Sequence, residues 1–462
     1  MSTSGLLIVV LAAGKGTRMR SRLPKVLHQV AGRSLLGHVL AAARTSDAQT
    51  VAVVVGPGMN DVRDEALRQM PEARVLVQAE QRGTGDATLA ARSLLVEHSG
   101  NVLVVFGDTP LLDPDTLRRA SGELDKGADV VVVGFETADP TGYGRILRDR
   151  SGRVLAIREH KDASEAERAV AFCNSGVMGF RSTGDGGLVK LLESIGNANA
   201  KGEYYLTDAV QIARGRGMVV AAVTASETEV QGINDRVQLA QVEAVVQGRL
   251  RRRALLGGAT LIAPETVHLS HDTVLGEDVV VEPFVVFGPG VTVAGNALIH
   301  SFTHVVGSDR KSRSGASIGE GVELGPFARL RPGAVLGKKV HVGNFVEVKN
   351  AVLEEGAKAN HLTYLGDARI GPKANIGAGT ITCNYDGFEK YHTDIGAGAF
   401  IGSNTALIAP VKVGDGAIIG AGTVVAKDVA ADALALTRAP HDERQGWAAR
   451  FRAMMERRKK KS

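Results

Sequence analysis

Two stretches of the chain hold residue types that chemistry needs, at spacings that would bring them together. The first is Leu11-Ala-Ala-Gly-Lys-Gly-Thr-Arg-Met19, which follows an apolar run and leads into a helical segment. Gly14 and Gly16 would let backbone N–H groups close on a phosphate, and a helix start favours negative charge. The Gly-Lys-Ser/Thr spacing of a Walker loop is missing, and Met19 stands where a dinucleotide fingerprint needs glycine. Leu23-Pro-Lys25 strengthens the phosphate reading, because a proline-anchored lysine beside such a loop suits a polyphosphate. Phe106-Gly-Asp108 ends another apolar run, and open α/β sheets place ligands at such strand ends. A carboxylate there is a natural Mg2+ ligand, although an isolated aspartate is more commonly a helix N-cap.

The second stretch runs from Arg331 to Ser403 and holds Glu347, Lys349, His361, Tyr364, Asn375, Asn384, Tyr385 and Lys390 between those ends. A purely structural wall would not need this inventory. An imidazole titrates near neutrality and can take a proton from an attacking amine, although a lone histidine is more often structural. Cys383 adjoins the cluster and reads as an inert thiol.

These residues must be positioned by two different architectures. Leu6–Leu11, Val51–Val55, Val75–Gln78, Val102–Phe106 and Val130–Phe135 read as buried strands, with helical stretches such as Leu35–Ala43 and Asp86–Leu95 between them. This alternation predicts a parallel sheet with helices on both faces, the fold class α/β. A single helix is expected from Arg236 to about Leu256, ended by Gly257-Gly258. Beyond it, Leu275, Val281, Phe287, Val293, Ile299 and Val305 lie six apart, as do the series Ile318 to Val348 and Ile395 to Val425. A small or β-branched residue follows each aliphatic by four in most repeats (Val322, Ala328, Ala334, Val340, Ala399, Thr405), so both point inward from one short strand. This is the pattern of a hexapeptide parallel β-helix, in which each coil covers the next. Gly307–Ala316 and Thr382–Thr393 break the step and read as ejected loops. The domains are therefore expected at 1–236, 237–257 (linker helix) and 258–462.

The 462 residues exceed one ordinary core, and 56 glycines suit a repeat with a turn every six residues. Two cysteines, Cys173 and Cys383, give no disulfide framework. The first apolar run is too short to span a bilayer, and no basic residue precedes Lys15. A cytoplasmic protein without membrane insertion is expected. Seven of the cations, against one acid, lie between Trp447 and Ser462, so the net charge of +5 belongs to the tail. The tail reads as a solvated, frayed terminus rather than a nucleic-acid site, since it interleaves few aromatics.

Leu11–Met19, Leu23–Lys25, Gln78-Ala-Glu-Gln-Arg-Gly-Thr-Gly85, Gly107-Asp108, Pro140-Thr-Gly-Tyr-Gly-Arg145, Glu159-His-Lys-Asp162, Asn174-Ser-Gly176, Gly202-Glu-Tyr-Tyr-Leu-Thr-Asp208 and Gly232-Ile-Asn234 occur in this order. Together they resemble a sugar-1-phosphate nucleotidyltransferase. His361-Leu-Thr-Tyr-Leu-Gly-Asp367 and Asn375-Ile-Gly-Ala-Gly-Thr-Ile-Thr-Cys-Asn-Tyr-Asp-Gly387 extend the likeness over residues 5 to 446. The whole resembles the bifunctional N-acetylglucosamine-1-phosphate uridyltransferase/glucosamine-1-phosphate acetyltransferases. That resemblance implies a Rossmann-like nucleotidyltransferase domain and a left-handed β-helix. It implies that Leu11, Ala12, Ala13, Gly14, Gln78, Gly83 and Thr84 hold UTP and that Arg18 and Lys25 grip its phosphates. Asp108 and Asn234 would bind Mg2+, and Gly144, Glu159 and Asn174 the amino sugar. In the second half it implies His361 as general base, with Arg331, Lys349, Tyr364, Asn375 and a further candidate, Lys390, on glucosamine 1-phosphate. Ala378, Asn384, Tyr385, Ser403, Ala421 and Arg438 would line an acetyl-coenzyme A site between subunits of a homotrimer. The product would be UDP-N-acetylglucosamine, a cell-wall precursor. Phe106 stands where the family pattern has Tyr, and Ser175 where it has Thr. The alternative is a nucleotidyltransferase whose β-helix is not catalytic; His361 with Asn384-Tyr385 weighs against it.

Overall fold

The structure is a computed structural model describing residues 5–308, 315–437 and 439–460. The chain divides into two compact units, Met1–Leu250 and Arg251–Ser462, and the boundary falls inside the expected helix, Arg236–Leu256.

In the first unit, seven strands line up in the order Val220–Thr224, Val130–Glu136, Phe172–Thr183, Ser99–Phe106, Gly5–Leu11, Thr50–Val55, Arg74–Val77. Side chains alternate across the strand. Leu6, Ile8 and Val10 pack under helices Leu35–Thr45, Asn60–Gln69 and Pro114–Asp125, while Leu7, Val9 and Leu11 pack under Gly187–Glu193 and Asp208–Gly215. Burial on both faces explains the unbroken apolar runs. Among these seven strands one breaks the parallel order: Phe172–Thr183 runs antiparallel to both its neighbours, and it also carries the antiparallel pair Arg145–Arg148 and Val154–Arg158 at its edge. Its register slips between Asn174 and Met178, a bulge held by Ser175, whose hydroxyl donates to Val133 O at 2.7 Å and accepts from Val177 N at 3.1 Å. The Ser175 departure thus keeps a hydroxyl at the bulge. The stretch read as one helix over 86–95 is two, Thr84–Leu89 and Arg92–Glu97.

The second unit is a column of parallel two- to seven-residue strands. One wall stacks Val280–Val281, Leu298–Ile299, Glu323–Leu324, His341–Asn344, Lys358–His361, Asn375–Ile376, Phe400–Ile401 and Ile418–Ile419. Glu347–Leu353 and Tyr364–Ile370 each serve both of the other two walls. Of the eighteen six-apart positions, all but Leu275 are buried. At one corner, Phe284, Phe302, Phe327, Phe345, Leu362 and Asn404 all have positive φ. The four phenylalanines stack at 5.2, 4.9 and 5.3 Å and are each about half exposed. The loop Thr382–Thr393 is an ordered hairpin: Tyr385 bridges Lys390, and the Asp386 carboxylate accepts from the N–H groups of Phe388 and Glu389. Most of the other loop, 309–314, lies outside the described residues. The tail is not frayed: Trp447–Lys459 is an exposed helix, as its Ala, Met and Arg content favours.

Leu330 is fully buried in this column. Leu330→Ala is expected to cost about 2–5 kcal/mol, read as lost hydrogen-exchange protection in the neighbouring coils of the full chain.

Candidate active sites

Parallel register sets the first site. Leu11 pairs with Phe106, so the loops leaving both strands emerge side by side, and Gly107 N donates to Leu11 O at 2.9 Å. Ala12 N donates to Val54 O at 2.8 Å, and the Gln81 amide reaches Ala13 O. Gly16 has φ +60°, and a Cβ there would lie 2.5 Å from Lys25 Cβ, so glycine is what lets Leu23-Pro-Lys25 close on the loop. Lys25 Nζ bonds the Asp108 carboxylate and lies 3.4 Å from Asn234 Oδ1, which also accepts from Arg18 Nη2 at 2.8 Å. Asp108 O holds Ile233 N at 3.0 Å, which is what brings Asn234 beside the carboxylate. The structure therefore gathers Arg18, Lys25, Asp108 and Asn234.

No group of three or more His, Cys, Asp or Glu forms a metal cage among the described residues. One carboxylate and one amide oxygen beside a phosphate loop nevertheless fit Mg2+, a hard ion that keeps waters and takes phosphate oxygens.

Gln78 is buried, and its amide nitrogen donates to Gly83 O at 3.2 Å and Asp86 Oδ2 at 2.8 Å. With the nitrogen so engaged, the amide offers its oxygen as an acceptor, a narrower role than donating and accepting together. Thr84 accepts from Leu206 N at 2.9 Å, and the next residue, Thr207, donates to Glu159 Oε1 at 3.1 Å. Leu206 and Thr207 thus link Thr84 to Glu159, residues expected on the nucleotide and sugar sides, a link invisible without the fold. Gly144 O accepts from Asn174 N at 2.8 Å, and Glu159 Oε1 would lie 3.3 Å from a Cβ on Gly144. Gly144, Glu159 and Asn174 are therefore together, beside a cleft of about 460 Å³ lined by Glu159, Asp162, Tyr205 and Asp208. Burial pushes the Glu159 carboxyl up, against the Thr207 hydrogen bond, and does the same to Asp208. Phe106 packs on Gly176, where a Cβ would be 2.1 Å from the ring; the ring fills its place without a hydroxyl.

In the second unit, one corner carries four of the expected acetyl-transfer residues. Leu362 N donates to Asn344 O, Gly379 N to Leu362 O, Asn404 N to Ala378 O and Gly422 N to Ser403 O. His361, Ala378, Ser403 and Ala421 thus descend coil by coil. His361 is exposed, with Nδ1 2.8 Å from Asn344 Oδ1. On the adjoining wall Glu347 pairs with Tyr364 and Lys349 with Gly366. A Cβ on Gly366 would lie 2.3 Å from the Tyr364 hydroxyl, so the ring folds over that glycine. Arg331 donates to Glu347 at 2.8 Å. The Lys390 ammonium beside Lys349 holds the Lys349 amine below its ordinary range, with burial and Arg331 adding to the effect. These three cations suit a phosphate. Asn384 bonds Asp367, which also accepts from Asn350 at 2.6 Å, and Tyr385 is exposed on the hairpin. Asn375 lies on the wall of Lys358–His361, one coil further. Arg438 lies outside the described residues.

Residues 8–171 match the MobA-like NTP transferase domain, and residues 315–350 and 392–427 match the bacterial transferase hexapeptide, six repeats. The bifunctional protein GlmU of Azorhizobium caulinodans is 57% identical over 453 residues, 98% of each chain. That of Xanthobacter autotrophicus is also 57% identical, again over 98% of both. The GlmU of Rhodopseudomonas palustris strain TIE-1 is 53% identical over 461 residues, 100% of this chain and 99% of its own. The chain belongs to the GlmU family. Within this GlmU family member, the coils between the two hexapeptide matches hold Lys349 at their edge and then His361, Tyr364, Asn375, Asn384 and Lys390. The irregular part of the repeat is thus where its polar chemistry gathers.

Gly16→Ala tests the first site. With φ +60° and the 2.5 Å approach to Lys25, it is expected to lower nucleotidyl transfer at least about tenfold, while acetyl transfer, assayed separately, stays unchanged.

Proposed function

We propose that this enzyme acetylates glucosamine 1-phosphate with acetyl-coenzyme A in residues 258–462. It then transfers UMP from UTP to N-acetylglucosamine 1-phosphate in residues 1–236, the two parts joined by a linker helix over 237–257. One observation carries the reading: a chain that aligns end to end with bifunctional relatives gathers a phosphate-loop cluster in one unit and, in the other, an imidazole held by Asn344 on one wall of the column and three clustered cations on the adjoining part of it.

In the nucleotidyl reaction, Leu11 to Gly14, Gln78, Gly83 and Thr84 seat the nucleotide, with the Gln78 oxygen accepting from uracil N–H. Arg18 and Lys25 neutralise phosphate oxygens, and Gly144, Glu159 and Asn174 hold the sugar so that its phosphate faces the α-phosphate in line. Mg2+ held by Asp108 and Asn234 would add charge neutralisation at the phosphates. The sugar-phosphate oxygen attacks, and pyrophosphate leaves with its pair of electrons. In the acetyl reaction, Arg331, Lys349, Lys390, Tyr364 and Asn375 hold glucosamine 1-phosphate. His361 takes the amine proton as nitrogen attacks the thioester carbon; the tetrahedral intermediate then collapses, the C–S bond breaks, and coenzyme A leaves as a thiolate that takes up the proton. Ser403 or a backbone N–H steadies the oxyanion, and Asn384, Tyr385, Ala378, Ala421 and Arg438 hold the coenzyme.

The exposed phenylalanine corner ends at Phe345, next to Asn344, the register partner of His361, and such a patch supports burial against further copies of the chain. The proposed assembly is the homotrimer that the family resemblance implies, with coenzyme sites between subunits, and the exposed corner is compatible with it. Among the described residues no helix is long and apolar enough to cross a membrane; a cytoplasmic location and small-molecule partners complete the proposal.

His361→Ala is expected to cut acetyl transfer about 10²–10⁴-fold and spare uridylyl transfer; Asp108→Ala should do the reverse. Free-thiol and pyrophosphate release, assayed separately, read the two. Acetylation retained in the first variant would refute the base. Phe302→Ser with Phe327→Ser should shift the sedimenting species from trimer to monomer; an unchanged trimer would place the interface elsewhere.

A further inference from the structure

We propose that Asn344 is a positioning residue for acetyl transfer: its side-chain oxygen holds the proton of His361 on Nδ1 and so keeps the Nε2 lone pair turned out for the amine. The proposal rests on the reading of His361 as general base.

The contact is built into the strands. Asn344 and His361 are register partners in the parallel strands His341–Asn344 and Lys358–His361. Leu362 N donates to Asn344 O at 3.1 Å, and the Thr363 hydroxyl donates to His361 O at 2.7 Å, so both backbones are tied. Their side chains then meet at 2.8 Å, Nδ1 to Oδ1. An amide oxygen only accepts, so the proton between the two atoms belongs to the imidazole. A neutral ring carries one N–H, and placing it on Nδ1 leaves Nε2 free to accept a proton. The reverse orientation of the amide, with nitrogen toward the ring, would put the proton on Nε2 and remove the base.

Exposure makes this constraint matter. His361 has little packing to stop its ring from turning, and an unheld base spends much of its time misdirected. An amide also differs from the carboxylate found behind many catalytic histidines. It orients the ring without a negative charge that would favour the imidazolium. The charged groups on the strands around the pair are Lys358 and His341 on their own strands, Glu323 on the strand paired with His341–Asn344, and Glu347 and Lys349 on the strand that follows in the chain. None of these takes the place of Asn344 at Nδ1.

The test uses the full-length enzyme and two variants. 15N NMR of selectively labelled histidine should show His361 as the Nδ1–H tautomer in the native chain. Asn344→Leu should lower kcat for acetyl transfer about ten- to a hundredfold, leave KM for glucosamine 1-phosphate within about threefold, and allow both tautomers. Asn344→Asp should move the acidic limb of the kcat profile up by about one pH unit and recover activity above it. Calorimetric binding of glucosamine 1-phosphate confirms that each variant keeps its fold. A native Nε2–H tautomer, or kcat and pH profile unmoved in both variants, overturns the proposal. His361→Ala separates the two readings. If that variant still acetylates, the base assignment fails, whereas the NMR spectrum still reports whether Asn344 sets the tautomer.

Discussion

Parallel pairing between neighbouring strands is the constraint on which both units depend. A parallel ladder aligns strand ends, and chemistry collects where several ends meet. In the sheet, the Leu11–Phe106 partnership puts the phosphate loop beside Asp108. In the column, the same kind of partnership puts Asn344 on His361 and Glu347 on Tyr364. Each backbone bond contributes only about 1 kcal/mol, but each also excludes a slip that would turn every side chain to the wrong side.

Much of this was legible in the amino-acid order. The six-residue rhythm announces itself because one buried aliphatic per strand is what stacked coils require, and seventeen of the eighteen positions are buried. Leu275, in the early coils, is only partly buried. The strands and helices of the first unit were visible as apolar runs and periodic stretches, because burial on both faces leaves no polar alternation to confuse them. The nine ordered segments around the phosphate loop named the same residues that the fold gathers at Lys25, Asp108 and Asn234.

What was not legible depends on tertiary neighbours. Phe172–Thr183 carries Asn, Ser, Gly and Arg among its apolar residues, so neither its strand character nor its direction shows locally. Its antiparallel course follows from the strands between which it is inserted. Asn344 looks like any turn asparagine until the register sets it against a ring. Gly366 and Gly16 look like repeat or loop glycines until Tyr364 and Lys25 occupy the space a methyl would take. The terminal helix, Trp447–Lys459, departs from the expected fray because its Ala, Met and Arg content favours a helix irrespective of packing.

The crowd of Arg331, Lys349 and Lys390 has a thermodynamic corollary. Lys349 sits in a field that disfavours its own charge, so an arriving dianion both attracts the ammonium groups and screens them from one another. On the proposed reading, capture of the sugar phosphate would be linked to proton uptake in alkaline solution, and added electrolyte would weaken it by dulling both contributions at once. The cluster of like charge is in that reading spring-loaded, with the phosphate as its release.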